Sequence, residues 1–204
     1  MLELAQATGG DAIGAVDVVT GSATVTRVYG TKSPLAKGDP VFQGDTIETG
    51  DGGSIGLIFI DDTTFALGES GNMVLDEVVF DPATKDGNFA AKVSEGIFSF
   101  VSGQISKAGV DNMTLETPVV TIGIRGTKGA GKAGPEGTQN SVSLLPNADG
   151  SVGEMSVATQ TGAPVVISAV GATVAASSAS APPPPPVIFS PRLLLPELGG
   201  FVEL

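Results

Sequence analysis

Short runs in which apolar and polar residues alternate fill most of the chain and are separated by Gly, Asp and Asn. Residues 23–29 (ATVTRVY) begin with alternating apolar and polar residues, and residues 54–60 (SIGLIFI) place Ile55, Leu57 and Phe59 on one face of an extended segment. Side chains of a β-strand point alternately to its two faces, so a period of two predicts strands with one buried face.

The same pattern recurs along the chain and predicts further strands. They lie within residues 72–80, 92–103, 112–116, 119–124, 140–145, 153–160 and 163–168. No long window carries the 3.6-residue apolar period of a helix. The sequence therefore predicts an all-β domain of about ten or more short strands, as a compact β-roll or double sheet in preference to a short β-helix.

Glycine-aspartate pairs recur at a fixed interval in one segment of this domain. They are Gly38-Asp39, Gly44-Asp45 and Gly50-Asp51, so that successive pairs are six residues apart. Glycine supplies positive φ and aspartate accepts hydrogen bonds in tight turns, so we expect turns and structural anchors at the first two pairs. The interval also fits a short β-helix with Val41 and Ile47 pointing inward.

The composition changes near the C-terminus, which divides the chain into residues 1–11, a β domain at 12–171, and an arm at 172–204. The arm contains a polyproline tract formed by Pro182, Pro183, Pro184, Pro185 and Pro186. Its apolar residues are Val187, Ile188, Phe189, Leu193, Leu194, Leu195 and Phe201. Because polyproline is extended and semi-rigid, the arm is interpreted as a linker or as a segment that binds a partner molecule.

Charge and composition exclude several functions. The net charge is −12 and the chain contains neither Cys nor His, which excludes thiol nucleophiles, histidine bases and Cys/His zinc sites. Acidic proteins bind nucleic acids poorly, so no nucleic-acid partner is expected. Asp61 and Asp62 are interpreted as a hairpin turn in preference to a pair of catalytic acids. We expect no catalytic residue, cofactor or metal site.

One segment resembles a phosphate-binding loop. Residues 126–133 (GTKGAGKA) match the pattern G-x-x-x-x-G-K-[ST] except at Ala133, where a hydroxyl would bind Mg²⁺. Pro135 follows where the loop requires a helix, so no nucleotide is expected and the segment is interpreted as a flexible basic turn. Arg125 and Gly126 are predicted to anchor the β domain, with the guanidinium binding carboxylates near the strand end.

The sequence shows no signal for ordinary export and no membrane anchor. The first residues (MLELAQATGGDAIG) lack the basic and apolar regions of a cleavable signal peptide. The longest apolar stretch, residues 163–176, is shorter than the roughly 20 residues that span a bilayer. No membrane-spanning segment is therefore expected.

Three consecutive segments resemble the FecR-type domain: residues 35–77, then 93–103 (VSEGIFSFVSG), then 116–127 (ETPVVTIGIRGT). The hallmarks are the doubled Gly-Asp, a strand ending in Asp-x-[ST], an EG-[IV]-x-x-x-V strand and a closing TP…RGT. The resemblance covers about residues 20–130. The family takes its name from a periplasmic regulator of iron-citrate uptake, but neither a membrane helix nor a sigma-binding segment is visible, so iron signalling is not expected.

The sequence is more similar to FecR-type modules near the N-terminus of large Gram-negative secreted or surface proteins. That resemblance implies a non-enzymatic structural or interaction module, exported by a type I-like route to the cell surface. Its partner would be a second copy or another surface protein, bound through the β domain and the arm. The alternative is a periplasmic regulatory scaffold that binds a signalling partner.

Overall fold

The computed structural model describes residues 10–108 and 112–189. The strands are β1 (Gly14–Thr20), β2 (Ala23–Thr26), β3 (Lys32–Pro34), β4 (Pro40–Val41), β5 (Thr46–Thr49), β6 (Ser54–Phe59), β7 (Thr64–Leu67), β8 (Asn72–Phe80) and β9 (Gly87–Val101). After the short helix α1 (Ile105–Ala108) follow β10 (Met113–Glu116), β11 (Thr121–Arg125), β12 (Lys128–Ala133), β13 (Asn140–Leu145), β14 (Glu154–Ala158), β15 (Val165–Ile167), β16 (Ala172–Ala176) and β17 (Val187–Ile188). Within these ranges no helix has the length and hydropathy needed to cross a bilayer.

The strands form two sheets that share β9, which confirms the predicted all-β fold. Sheet A has the order β4-β1-β6-β7-β9-β12-β13-β16-β17 and is antiparallel throughout. Sheet B has the order β3-β2-β5-β8-β9-β10-β11-β14-β15, with one parallel pair, β9 with β10. The long strand β9 passes from sheet B into sheet A near Gly96, whose φ is 107°.

Nearly all the buried apolar side chains of the described residues form one core cluster. Its largest members are aromatic: Phe65 and Phe98 stack with their centroids 6.0 Å apart. Phe59 of sheet A meets Phe89 of sheet B edge to face at 4.9 Å, which joins the two sheets. Burying one such side chain contributes about 1.5–3 kcal/mol. The core therefore depends on pairs of rings from facing strands.

Residues 126–133 do not form the predicted flexible basic turn. From Lys128 to Ala133 they form β12, a strand between β9 and β13. Gly131 lies opposite Phe98, and a Cβ there would lie 2.7 Å from the Phe98 ring and 2.3 Å from the Ser141 carbonyl oxygen. The alternate glycines of the pattern thus leave room for core rings, and this spacing explains the resemblance to a phosphate loop without a loop being present.

The predicted boundary at residue 171 lies inside the β domain. Strand β16 pairs with β13, and its residues Ala172, Val174 and Ala176 belong to the core. Sequence reasoning excluded this segment because its Ala and Ser content resembles a linker. Small apolar residues at alternate positions are also typical of a closely packed core strand, and residues 172–176 form such a strand.

The residues after β16 are also attached to the domain. The Thr159 hydroxyl donates to the Ala181 carbonyl at 2.7 Å, and the Thr161 hydroxyl donates to the Ser180 carbonyl at 3.0 Å. Pro183 is buried, and Pro182 packs closely against Gly162. The tract at 182–186 is therefore partly packed on the protein, and β17 follows it.

Candidate functional site

The first two Gly-Asp pairs form turns of the same geometry. The Asp39 carboxylate accepts the Ala36 N–H at 2.8 Å, and the Asp45 carboxylate accepts the Phe42 N–H at 2.7 Å. Gly38 and Gly44, just before each aspartate, have φ of 90° and 82°. Positive φ without steric cost is the property that requires glycine there.

The residues between and after these turns point inward. Val41 and Ile47 are both fully buried, as the six-residue interval predicts. In the third pair the positive φ falls on Gly52, and Gly53 donates to the Gly50 carbonyl, so this turn differs from the other two.

A partly buried ion pair joins the second turn to the β2–β3 connection. Arg27 donates to the Asp45 carboxylate and, through Nη2, to the Pro40 carbonyl at 3.2 Å. Its guanidinium carbon lies 4.9 Å from the centroid of the Phe42 ring. Burial raises the pKa of Asp45, and the Phe42 N–H and Arg27 oppose that rise. Sequence reasoning missed Arg27 because it is 18 residues from its partner.

The β6–β7 hairpin turn contains a fully buried carboxylate. Asp61 accepts the Thr63 N–H at 3.0 Å, the Thr63 hydroxyl at 2.8 Å and the Ile105 N–H at 3.3 Å. The Thr63 oxygen in turn accepts the Gly103 N–H at 2.9 Å. A Cβ at Gly103 would lie 2.2 Å from the Asp61 carbonyl oxygen. The Asp-x-[ST] motif therefore ties the hairpin to the segment between β9 and α1.

The closing TP…RGT segment ties strand ends together in the same way. The Thr127 N–H donates to the Ser102 hydroxyl at 2.8 Å, and the Ser102 N–H donates to the Thr127 carbonyl at 3.1 Å. The Thr117 hydroxyl accepts the Val120 N–H at 3.0 Å. Gly126 has φ of 55°, which allows the chain to turn from sheet B into sheet A. The motif residues thus serve the fold.

Arg125 lies exposed on β11, opposite Glu154 of β14. It lines a surface depression of about 490 Å³ together with Lys107, Gly126 and Ser168. None of the ion pairs found in residues 10–108 and 112–189 includes Arg125 or Lys107. The anchoring role of Arg125 stays a prediction.

The two long edges of the double sheet differ in chemistry. One edge, formed by β3 and β4, carries Lys32, Pro34 and Pro40. The opposite edge is formed by β15 and β17, and residues 155–189 contain no Asp, Glu, Lys or Arg. Lysine and proline are the residues that commonly protect edge strands from pairing. Only the first edge has them at its strand positions.

The uncharged edge also exposes apolar side chains. We name it the C-terminal edge and define it as β15, β17, Val170 and Phe189. Val166, Val187 and Ile188 are 54%, 56% and 68% exposed. Val187 and Ile188 belong to the predicted partner-binding arm, of which Leu193, Leu194, Leu195 and Phe201 lie outside the described residues.

No family model and no curated protein matches the chain. Two crystal structures of a candidate anti-sigma factor from Parabacteroides distasonis ATCC 8503 are similar, with TM-scores of 0.55 and 0.56 and 13% identity. Both comparisons cover 76% of this chain and 64% or 65% of theirs. At this identity the likeness shows the fold alone. A structure named "Cell surface anchoring domain" is 38% identical over 31% of this chain and 83% of its own, but its TM-score of 0.30 carries no structural argument.

Proposed function

We propose that this protein is a non-catalytic interaction module of a bacterial surface or secreted protein, which associates with copies of itself through the C-terminal edge. The observation that carries the proposal is the exposed apolar, uncharged edge in a protein of net charge −12. Catalysis, a cofactor and a metal have no part in it. The module would work outside the cytoplasm, after type I-like export.

Membership of the FecR-type family is part of the proposal. It is supported by the structural tasks of the motif residues: Asp39 and Asp45 close turns, Asp61 joins a hairpin to the next segment, and Thr127 joins strand ends. Residues with such tasks serve the fold and do not specify the function of the protein. The shared fold of the anti-sigma structures is compatible with this assignment.

Electrostatics and hydrogen bonding favour a second copy at this edge. Two molecules of the same large charge repel each other over most of their surfaces, and the repulsion is weakest where charge is absent. Bonding residues alternate along an antiparallel strand, and Phe189 donates to Gly171, so the N–H and C=O of Ile188 point away from β16. Pairing the same edge of two copies would satisfy these groups by strand addition.

A charge placed on the edge tests the proposal. We expect Val166→Glu to weaken self-association by about tenfold or more, measured by sedimentation equilibrium, because two carboxylates would approach each other in the pair. Val79→Glu is the matched control, since Val79 is 53% exposed on β8, a central strand of sheet B. A wild-type protein that stays monomeric throughout the concentration series would refute self-association.

A regulatory scaffold is the second candidate, and the same edge favours it. A single exposed strand can equally accept a strand of a different protein. A monomer that forms a stoichiometric complex with a sigma regulator or an outer-membrane receptor, lost in Val166→Glu and kept in Val79→Glu, would support the scaffold over self-association.

A further inference from the structure

The face of sheet A that points away from the core has an unusual composition, and we name it the outer face. On β6 to β17 it consists of Gly56, Ile58, Thr64, Ala66, Ile97, Ser99, Val101, Lys128, Ala130, Lys132, Ser141, Ser143, Leu145, Thr173, Ala175 and Val187. These positions carry no carboxylate, although the chain has 22 Asp and Glu residues. The corresponding face of sheet B is charged, with ion pairs such as Lys92–Glu116.

The centre of the outer face is buried. Ala66, Ser99, Ala130 and Ser143 are between 0% and 3% exposed, and Leu145 is 4% exposed. Residues on the solvent face of an antiparallel sheet normally stay accessible, as Thr114 and Ser156 do on sheet B. The principal contacts among the described elements are between neighbouring strands, with α1 against β9 and β11, and none of these contacts accounts for the burial.

The described chain ends at the border of this face. Val187 pairs with Thr173, which pairs with Ser143, so Val187 continues the row of buried small residues. Phe189 is two residues further along and points to the same side, because side chains alternate along a strand. It is 40% exposed. The last described residue therefore lies beside the outer face.

The sequence that follows has chemistry that complements this face. The apolar residues of the segment 190–204 are Leu193, Leu194, Leu195, Leu198, Phe201, Val202 and Leu204, and its charged residues are Arg192, Glu197 and Glu203, so that carboxylates are in the majority. Apolar side chains match the small, flat centre, and carboxylates match a face on which Lys128 and Lys132 are the charged residues. Fifteen extended residues reach up to about 50 Å. Five interstrand spacings, from β17 to β7, span about 24 Å.

We propose that residues 190–204 dock on the outer face of sheet A in the same molecule and cover it. The segment that composition identifies as a linker or a partner-binding arm would then complete the domain. This proposal does not depend on self-association, which concerns the C-terminal edge. It explains why the outer face can lack carboxylates without being a large exposed apolar patch.

Thiol labelling in the full chain tests the docking directly, because the protein has no Cys and one introduced cysteine is the only thiol. Ser143→Cys reports on the accessibility of the outer face, and Ser156→Cys reports on the accessibility of the corresponding face of sheet B. The perturbation is Leu193→Glu with Leu194→Glu and Leu195→Glu. We expect it to accelerate labelling at position 143 by about tenfold or more and to leave position 156 within about twofold, since local opening exposes only what the segment covers.

Three results would overturn the proposal. Unchanged labelling at position 143 would mean that the covering residues lie elsewhere. If Leu2→Glu with Leu4→Glu accelerates labelling at position 143 and the Leu193–Leu195 substitutions do not, the N-terminal residues cover the face. Protection that weakens on dilution would assign it to a second copy. A chain ending at Phe189 with fast labelling at 143 and an unchanged β-sheet circular dichroism spectrum would support docking independently, and an unchanged rate there would contradict it.

Discussion

Removal of the Asp61 carboxylate tests whether the Asp-x-[ST] motif stabilises this fold. In Asp61→Ala, three donors lose their acceptor: the N–H and the hydroxyl of Thr63 and the N–H of Ile105. The site is 0% exposed, so water cannot replace the carboxylate without opening the structure. A buried donor left unpaired costs about 1–3 kcal/mol, and the Thr63 hydroxyl can rotate towards another acceptor. We therefore expect a loss of about 3–5 kcal/mol.

The measurement is the free energy of unfolding from urea titration, with the thermal midpoint as a second readout. For a domain of this size the loss corresponds to a midpoint lowered by about 6–20 °C. Asp62→Asn is the matched control, because Asp62 is exposed, has φ of 68° and accepts a hydrogen bond from the Gln104 side chain at 2.7 Å, which an amide oxygen can also accept. Equal stabilities of Asp61→Ala and Asp62→Asn would refute the assigned role.

Two further substitutions test other contacts. Arg27→Met should lower the free energy of unfolding by about 1–3 kcal/mol, because it leaves the buried Asp45 carboxylate without its cation. Arg125→Met should change the free energy of unfolding by less than about 0.5 kcal/mol. If urea titration gives the larger loss for Arg125→Met, Arg125 is the anchor. Gly131→Ala should lower the free energy of unfolding by about 1–3 kcal/mol, because the added Cβ would overpack against Phe98 and the Ser141 carbonyl. Gly10→Ala should leave the stability unchanged, because no atom lies within 4 Å of the added Cβ. Equal thermal midpoints of the two variants would contradict the packing argument.

Sequence periodicity predicts the strands of this protein well because each strand buries one face. The run at 72–80 is β8 in full, and the run at 140–145 is β13. The shared strand β9 was predicted only as residues 92–103, because its first half alternates weakly in GNFAAK. A two-residue period of apolar residues indicates that one face of a strand is buried. It does not indicate which strands pair or that one strand belongs to two sheets.

Residues whose role depends on contacts with distant parts of the sequence are harder to predict from the sequence. Asp61 and Asp62 are adjacent, yet one is fully buried and the other is exposed at positive φ. Nothing in the pair DD distinguishes them, because the difference comes from Gly103 and Ile105, about 40 residues away. Arg27 and Arg125 differ in the same way: Arg27 is partly buried because it pairs with Asp45, whereas Arg125 is exposed, and the residue type alone does not distinguish them.

If both proposals hold, coverage of the outer face and openness of the C-terminal edge together would direct association of this protein. A covered outer face would leave the C-terminal edge as the uncharged part of the β domain at which a partner strand can add. The opposite edge carries Lys32, Pro34 and Pro40, which disfavour a head-to-tail chain of copies. If each copy has one open edge, an assembly formed through that edge is complete at two copies, since neither copy then has a further open edge. The edge chemistry therefore favours a dimer over a filament, and sedimentation of the wild-type protein should reach a limit at twice the mass of 20.3 kDa.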